Sequence, residues 1–347
     1  MNKTYKLLTK NTAFIFLATL LSIFLGLLTF LFYFDSTTST VAFGNVIPIL
    51  FILSIVGTLA LSVLTTVKAK HFGVSKIKRS SSFFKFSSYL VCAMLVLFFF
   101  YDLFIFILQP AQITFLRSVR IVLFIPMIAH IVISVLPNKI KRTKIEISQP
   151  VRIVAGIGAI LWAVVSLLTV YFDYAILTNN IFKTILIFVY LLASLFFLYD
   201  AKFILIKPCP KPFVLSSLAL FIVTFSFTLG ALIARMVGKT GSLGISEFEI
   251  IVSLALGIYA FSKLCAFINT MKFIMENSYS SYSYKTSSSK KSSKSSESEK
   301  KEAEKKGEKA KSEKKAEPVA EKAEDKPTEK AEEKSAEKAE EKSDSQE

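Results

Sequence analysis

Long apolar runs separated by short polar segments fill the first 276 residues, and each run has the length of a bilayer crossing. A helix needs about 20 apolar residues to span about 30 Å of hydrocarbon, because in lipid every backbone polar group must be satisfied within its own segment. Eight runs meet that demand: 13–34, 41–66, 88–109, 119–137, 153–174, 181–206, 214–237 and 248–275. The pattern predicts an all-α fold, a polytopic transmembrane helical bundle of about eight spans. The fourth run is the least regular, since it is short and carries Pro126 and His130. The first is too long for a signal-peptide core and lacks an Ala-x-Ala exit, so it is expected to remain as a span.

Lys and Arg set the direction of the bundle, because short positive loops stay cytoplasmic. The N-terminal segment has Lys3, Lys6 and Lys10. The 67–87 loop has Lys68, Lys70, Lys76, Lys78, Arg79 and Lys85, and the 138–152 loop has Lys139, Lys141, Arg142, Lys144 and Arg152. Lys202, Lys207 and Lys211 surround the next turn on that side. The opposite loops hold only Arg117, Arg120, Lys183, Arg235 and Lys239, a split of 17 to 5. The expectation is a multi-pass protein of the cell (plasma) membrane with both termini cytoplasmic. Its far-side loops, about 35–40, 110–118, 175–180 and 238–247, leave no room for an external domain.

From Asn277 the chain changes character, which divides it into a bundle (1–276) and a tail (277–347). A Ser/Tyr stretch leads into Lys285, Lys290, Lys291 and Lys294, a basic cluster beside a span end and suited to anionic lipid. Alternating Lys, Glu and Ala follow, closing in three near-identical octads at 320–327, 328–335 and 336–343. A period of eight fits no helical repeat and stacks like charges at i,i+4, as in Glu329/Glu333 and Lys330/Lys334. With no apolar stripe to bury, this charged C-terminal tail is expected to be disordered. It reads equally as a solubilising extension and as a contact for a protein partner.

Charge changes the picture in one respect. The net +16 is not a nucleic-acid footprint, because residues 1–276 hold 24 basic against 8 acidic side chains while the tail holds 18 of each. The excess sits at span ends, where membrane lipid is the partner, and forms no basic face in water. Catalytic signatures are missing. Val237-Gly238-Lys239-Thr240 echoes the end of a phosphate loop, but Ile233 stands where the leading glycine belongs. Cys92, Cys209 and Cys265 have no disulfide or zinc spacing, and the histidines are His71 and His130 alone. The reading therefore assigns no catalytic residue, metal, cofactor or nucleic acid.

Ionisable residues inside apolar runs mark the candidate site, since charge in hydrocarbon is costly. Asp102 is the clearest, about 10 Å below the expected outer surface by helix rise. Arg117 and Arg120 open the next span at that surface and Arg235 ends the seventh there, so four charges could converge. They read as a polar cavity for a solute or as a structural Asp–Arg pair with snorkelling arginines. His130 reads as a filler of the backbone vacancy left by Pro126 or as a proton relay. Asp200 and Lys202, near the cytoplasmic end of the sixth span, read as snorkelling residues.

Shifting the chain by 98 residues lays Phe98-Phe99-x-Tyr101-Asp102 on Phe196-Phe197-x-Tyr199-Asp200, and Pro110 on Pro208. A three-span unit repeated once must be inverted, and inverted repeats are typical of carriers. The fourth and seventh spans share almost nothing, and a Phe- and Ile-rich chain produces such matches by composition. Asp200 is thus the repeat partner of Asp102 or an accident. The functional expectation is a carrier or binder of a small solute. The alternatives are a membrane scaffold or sensor acting through the tail and, with the least in the chain to serve it, an intramembrane enzyme.

Overall fold

The structure is a computed structural model that describes residues 2–35, 40–42, 44–69, 72, 74, 77, 81–108, 114–136, 148–173, 180–204, 208–237 and 246–303, with side chains up to Glu276. Residues 1–285 form one compact unit and residues 286–347 a second.

Within the first unit, each apolar run is a helix. They are α1 (Asn2–Phe32), α2 (Val46–Lys68), α3 (Ser82–Leu108), α4 (Phe115–Val135), α5 (Gln149–Tyr171) and α6 (Ile181–Ile204). The seventh run is α7 (Pro210–Val223), a π-helical segment (Thr224–Leu229) and α8 (Gly230–Met236) in continuous succession, and the last is α9 (Glu247–Ala303). Eight of these stretches are long and apolar enough to cross a membrane, ending with Glu247–Glu276 of α9. The chain therefore has the build of a multi-pass membrane protein. Between α1 and α2, where a bare loop was expected at 35–40, Phe34–Asp35 pairs antiparallel with Thr40–Val41.

Helix ends follow local chemistry. Thr114 caps α4, its hydroxyl accepting from the backbone N–H of Arg117. α5 and α7 each begin with a proline in the first turn, where the missing N–H costs nothing. Along α2 the hydroxyls of Thr58, Ser62, Thr65 and Thr66 donate back to carbonyls one turn earlier, so no hydroxyl of that stripe is left bare in the apolar interior.

α9 is the middle of the bundle. The apolar stretches of the seventh and eighth spans are 78% and 72% buried, against 22% for α3, so the last spans form the core and the early ones the rim. Phe261 of α9 stacks on Phe16 of α1, and Tyr259 meets Phe84 of α3 and Phe196 of α6. Phe267 meets Phe213 of α7. Around it, α3 packs on α4, α4 on α5, α5 on α6 and α6 on α7, while α1 packs on α2 and α8.

Small residues allow the tightest crossings. A Cβ built on Gly158 of α5 would stand 2.4 Å from the Cβ of Pro126, so the proline inside α4 is seated on bare backbone. Gly230 of α8 likewise approaches the backbone of Gly26 and Leu27 in α1.

Residues 277–303 continue α9 as helix, so Asn277 is not a helix end; the stretch has no Gly or Pro to stop it. The octads lie outside the described residues.

Candidate functional site

Two networks of buried ionisable side chains lie along α9. In the first, Arg120 of α4 is divided between two carboxylates. Its Nη2 donates to Oδ1 of Asp102 in α3 at 2.7 Å and its Nη1 to Oε1 of Glu249 in α9 at 2.9 Å. Asp102 and Arg120 are 0% and 1% exposed, so these charges are removed from solvent. The guanidinium also lies 4.9 Å from the centre of the Phe98 ring, a cation–π contact. Among the described residues, Oδ2 of Asp102 and Nε of Arg120 have no hydrogen-bond partner, nor do the Tyr190 hydroxyl and the Trp162 indole N–H. The two rings meet edge-on at 6.0 Å, and Tyr190 is within electrostatic reach of Asp102, Arg120 and Glu249.

The second network centres on Asp200 of α6. Nε2 of His130 in α4 lies 2.9 Å from its Oδ2, and the ammonium of Lys263 in α9 donates to the same oxygen. Lys263 also donates to the hydroxyls of Ser134 at 3.2 Å and Tyr259 at 3.1 Å, which uses its three N–H bonds. All are buried: Asp200 is 2%, His130 1% and Lys263 5% exposed. Among the described residues, Nδ1 of His130 has no hydrogen-bond partner. The hydroxyls of Ser87 and Ser262 share a hydrogen bond that ties α3 to α9.

The expected site residues thus do not gather in one place. Asp102 and Arg120 meet. His130 and Asp200 also meet, but in the other network. Asp200 of α6 is held by side chains of α4 and α9 and does not snorkel, and the His130 imidazole reaches a carboxylate and not the carbonyl freed by Pro126. Arg235 pairs with Glu247 at the surface, where the two side chains are 29% and 54% exposed, because the end of α8 and the start of α9 lie close there. Arg117 is half-buried with its Nε unbonded, within electrostatic reach of Glu249 but outside the Asp102 pair. The four charges expected to converge are therefore two plus Glu249. Lys285, Lys290, Lys291 and Lys294 lie on the extension of α9, and their side chains fall outside the described residues. Among the described residues no three His, Cys, Asp or Glu side chains gather as metal ligands would.

Glu249 and Lys263 are the members that sequence reasoning passes over. The rule that singles out Asp102 applies equally to Lys263, a cation seventeen residues into the last apolar stretch.

The 98-residue shift aligns Asp102 with Asp200 but not their partners. Asp102 binds Arg120 of α4, and Asp200 binds His130 of the same α4 together with Lys263 of α9, whereas an inverted repeat would exchange α4 for the seventh span and α9 for α5. The chain matches no protein-family model, no curated protein and no solved structure.

Proposed function

We propose that the chain is a membrane carrier or binder of a small solute, with the two networks along α9 as its working parts. One observation carries the reading: six ionisable side chains, Asp102, Arg120, Glu249, His130, Asp200 and Lys263, are all at most 9% exposed within helices apolar enough to span a bilayer. Stability gives no account of them. Replacing buried ion pairs by apolar residues of similar volume is often neutral or stabilising by about 1–4 kcal/mol. In membrane helices such residues mark the paths of solutes, ions and protons. The unpartnered groups of Asp102, Tyr190 and Trp162 give a solute both acceptor and donor atoms to meet.

The setting we propose is the cell membrane, with both ends of the chain in the cytoplasm on the 17-to-5 division of basic residues. The tail is then a cytoplasmic extension, and the Lys285–Lys294 cluster lies against anionic headgroups.

The test is uptake into proteoliposomes of a panel of labelled amino acids, sugars, nucleosides and inorganic ions. A carrier transports at least one, loses that transport in Asp102→Asn and Asp200→Asn, and keeps it in a chain ending at Glu276. A chain that transports nothing, whose cellular effect survives Asp102→Asn and disappears with the tail, is a scaffold instead.

A further inference from the structure

We infer that Nδ1 of His130 is where the bundle takes up a proton, and that this proton is the ion coupled to solute movement; the coupling, though not the site, rests on the carrier reading.

The geometry of the Asp200 network assigns the atoms. With Nε2 of His130 2.9 Å from Oδ2 of Asp200, a neutral imidazole places its hydrogen on Nε2 and donates it to the carboxylate. The ring's lone pair is then on Nδ1, which is buried and has no hydrogen-bond partner among the described residues. The surface beside it is the bare backbone of Gly156 in α5, where even a Cβ would stand 3.7 Å away. A basic nitrogen in the interior of a bundle, with no described residue donating to it, is a proton acceptor.

The surrounding charges are ready for that proton. From α6 the imidazole faces Asp200, and from α9 Lys263 and Tyr259 adjoin the same carboxylate. α5 brings Gly156 against Nδ1, one turn from Arg152, whose Nε is buried without a hydrogen-bond partner among the described residues, and α4 itself adds the hydroxyl of Ser134, which bonds both the His130 carbonyl and Lys263. Asp200 and Lys263 cancel, so the network is neutral with neutral histidine. A proton transferred from hydronium forms the Nδ1–H bond, releases water and leaves imidazolium against Oδ2 with no existing hydrogen bond broken.

The consequence is a competition for one oxygen. Imidazolium and ammonium both address Oδ2, and protonation adds a full positive charge to a bond that the carboxylate already strengthens. Protonation thus strengthens the claim of α4 on Asp200 and weakens that of α9. It loosens α9 from α6 at this end while the Arg120 network still holds the other. Arg120 cannot lose its proton in a protein, which suits it to a fixed clasp and leaves the change of state to His130.

The site is tested by nitrogen-15 NMR of histidine-labelled full-length protein in lipid nanodiscs. The chain has two histidines, so His71→Asn leaves one. At alkaline pH the ring should carry hydrogen on Nε2 and none on Nδ1, and acidification should protonate Nδ1. The midpoint should move in Asp200→Asn and stay in place in Asp102→Asn. Hydrogen on Nδ1 in the neutral ring, a ring that never titrates while the protein remains folded, or equal movement in both variants would each overturn the site. Coupling is tested with a pH dye inside proteoliposomes during uptake of any solute from the panel above. Uptake should acidify the side the solute enters, and His130→Gln, its fold checked by melting, should abolish the acidification. Uptake without proton movement overturns the coupling and leaves the carrier standing. A titrating His130 in a chain that transports no solute overturns the carrier and leaves the proton site standing.

Discussion

Arg120 and Glu249 are 129 residues apart in the chain and joined by a 2.9 Å hydrogen bond. Ser134 and Lys263 repeat the same offset of 129 at 3.2 Å. The two contacts are separated by fourteen residues along each helix, close to four turns of about 3.6 residues and about 21 Å of rise. α4 and α9 therefore run parallel and in register, each presenting one face to the other, with a polar contact at either end.

That arrangement makes Arg120 the most sensitive member of its network. Arg120→Met leaves Asp102 and Glu249 buried with no cation between them. Removing one member of a buried charged set costs about 3–5 kcal/mol, so the melting temperature in detergent should fall clearly. The triple variant Asp102→Leu, Arg120→Met, Glu249→Leu should recover most of the loss, since no charge remains to desolvate. A triple variant that melts lower than Arg120→Met would show that the network stabilises the fold in its own right.

Glycine crossings give a second, purely steric prediction. A Cβ at Gly158 would lie 2.4 Å from that of Pro126 and one at Gly257 2.0 Å from Oγ1 of Thr224, whereas at Gly57 it would meet nothing within 4 Å. Gly158→Ala and Gly257→Ala should each destabilise by about 1–3 kcal/mol. Gly57→Ala should be neutral or gain about 0.5–1 kcal/mol from the lost backbone entropy. Thermal unfolding of the three variants side by side checks the order.

Ser87 and Ser262 share a hydrogen bond between their hydroxyls, which places their Cβ atoms within the reach of a disulfide. In a chain with Cys92, Cys209 and Cys265 replaced by Ala, Ser87→Cys with Ser262→Cys should crosslink on mild oxidation and shift its mobility on a non-reducing gel. Ser88→Cys with Ser262→Cys, one step around α3, should crosslink far less. Equal crosslinking of both pairs would mean that α3 does not present the Ser87 face to α9.

The direction of the bundle is open to labelling in intact cells. Single cysteines in 138–152 should react only after the membrane is permeabilised, and one at 173 should react from outside. Reaction of 138–152 from outside would reverse the orientation drawn from the basic loops.

The spans were legible because the hydrocarbon thickness sets their length. The run 181–206 reappears as Ile181–Ile204, and 119–137 as Phe115–Val135 despite Pro126. α3 begins at Ser82, earlier than its apolar run, because Ser87 and Ser88 are satisfied inside the bundle and do not mark a surface end. Asp102 and Arg120 were legible as charges at similar depth on consecutive helices. Lys263 was legible by the same rule as a cation within an apolar run, but its partners, and the roles of Glu249 and Tyr190, were not, because linear order says nothing of which helix occupies the centre. Once α9 lies there, flanked by α3, α4 and α6, the acid at its start and the base in its middle become partners of residues more than a hundred positions upstream in one case and 63 in the other.

The π segment Thr224–Leu229 has a consequence for chain length. Its hydrogen bonds reach one residue further than those of an α-helix, so it stores a residue that the helical path does not need. Deleting one residue there would draw Pro210–Met236 into a single α-helix and leave Gly230 still facing Gly26. Elsewhere in the same span a one-residue deletion would rotate everything downstream by about 100° and turn that glycine away from α1. The seventh span therefore carries a built-in splice point, the place where a natural or engineered variant can lose a residue and keep both flanking interfaces.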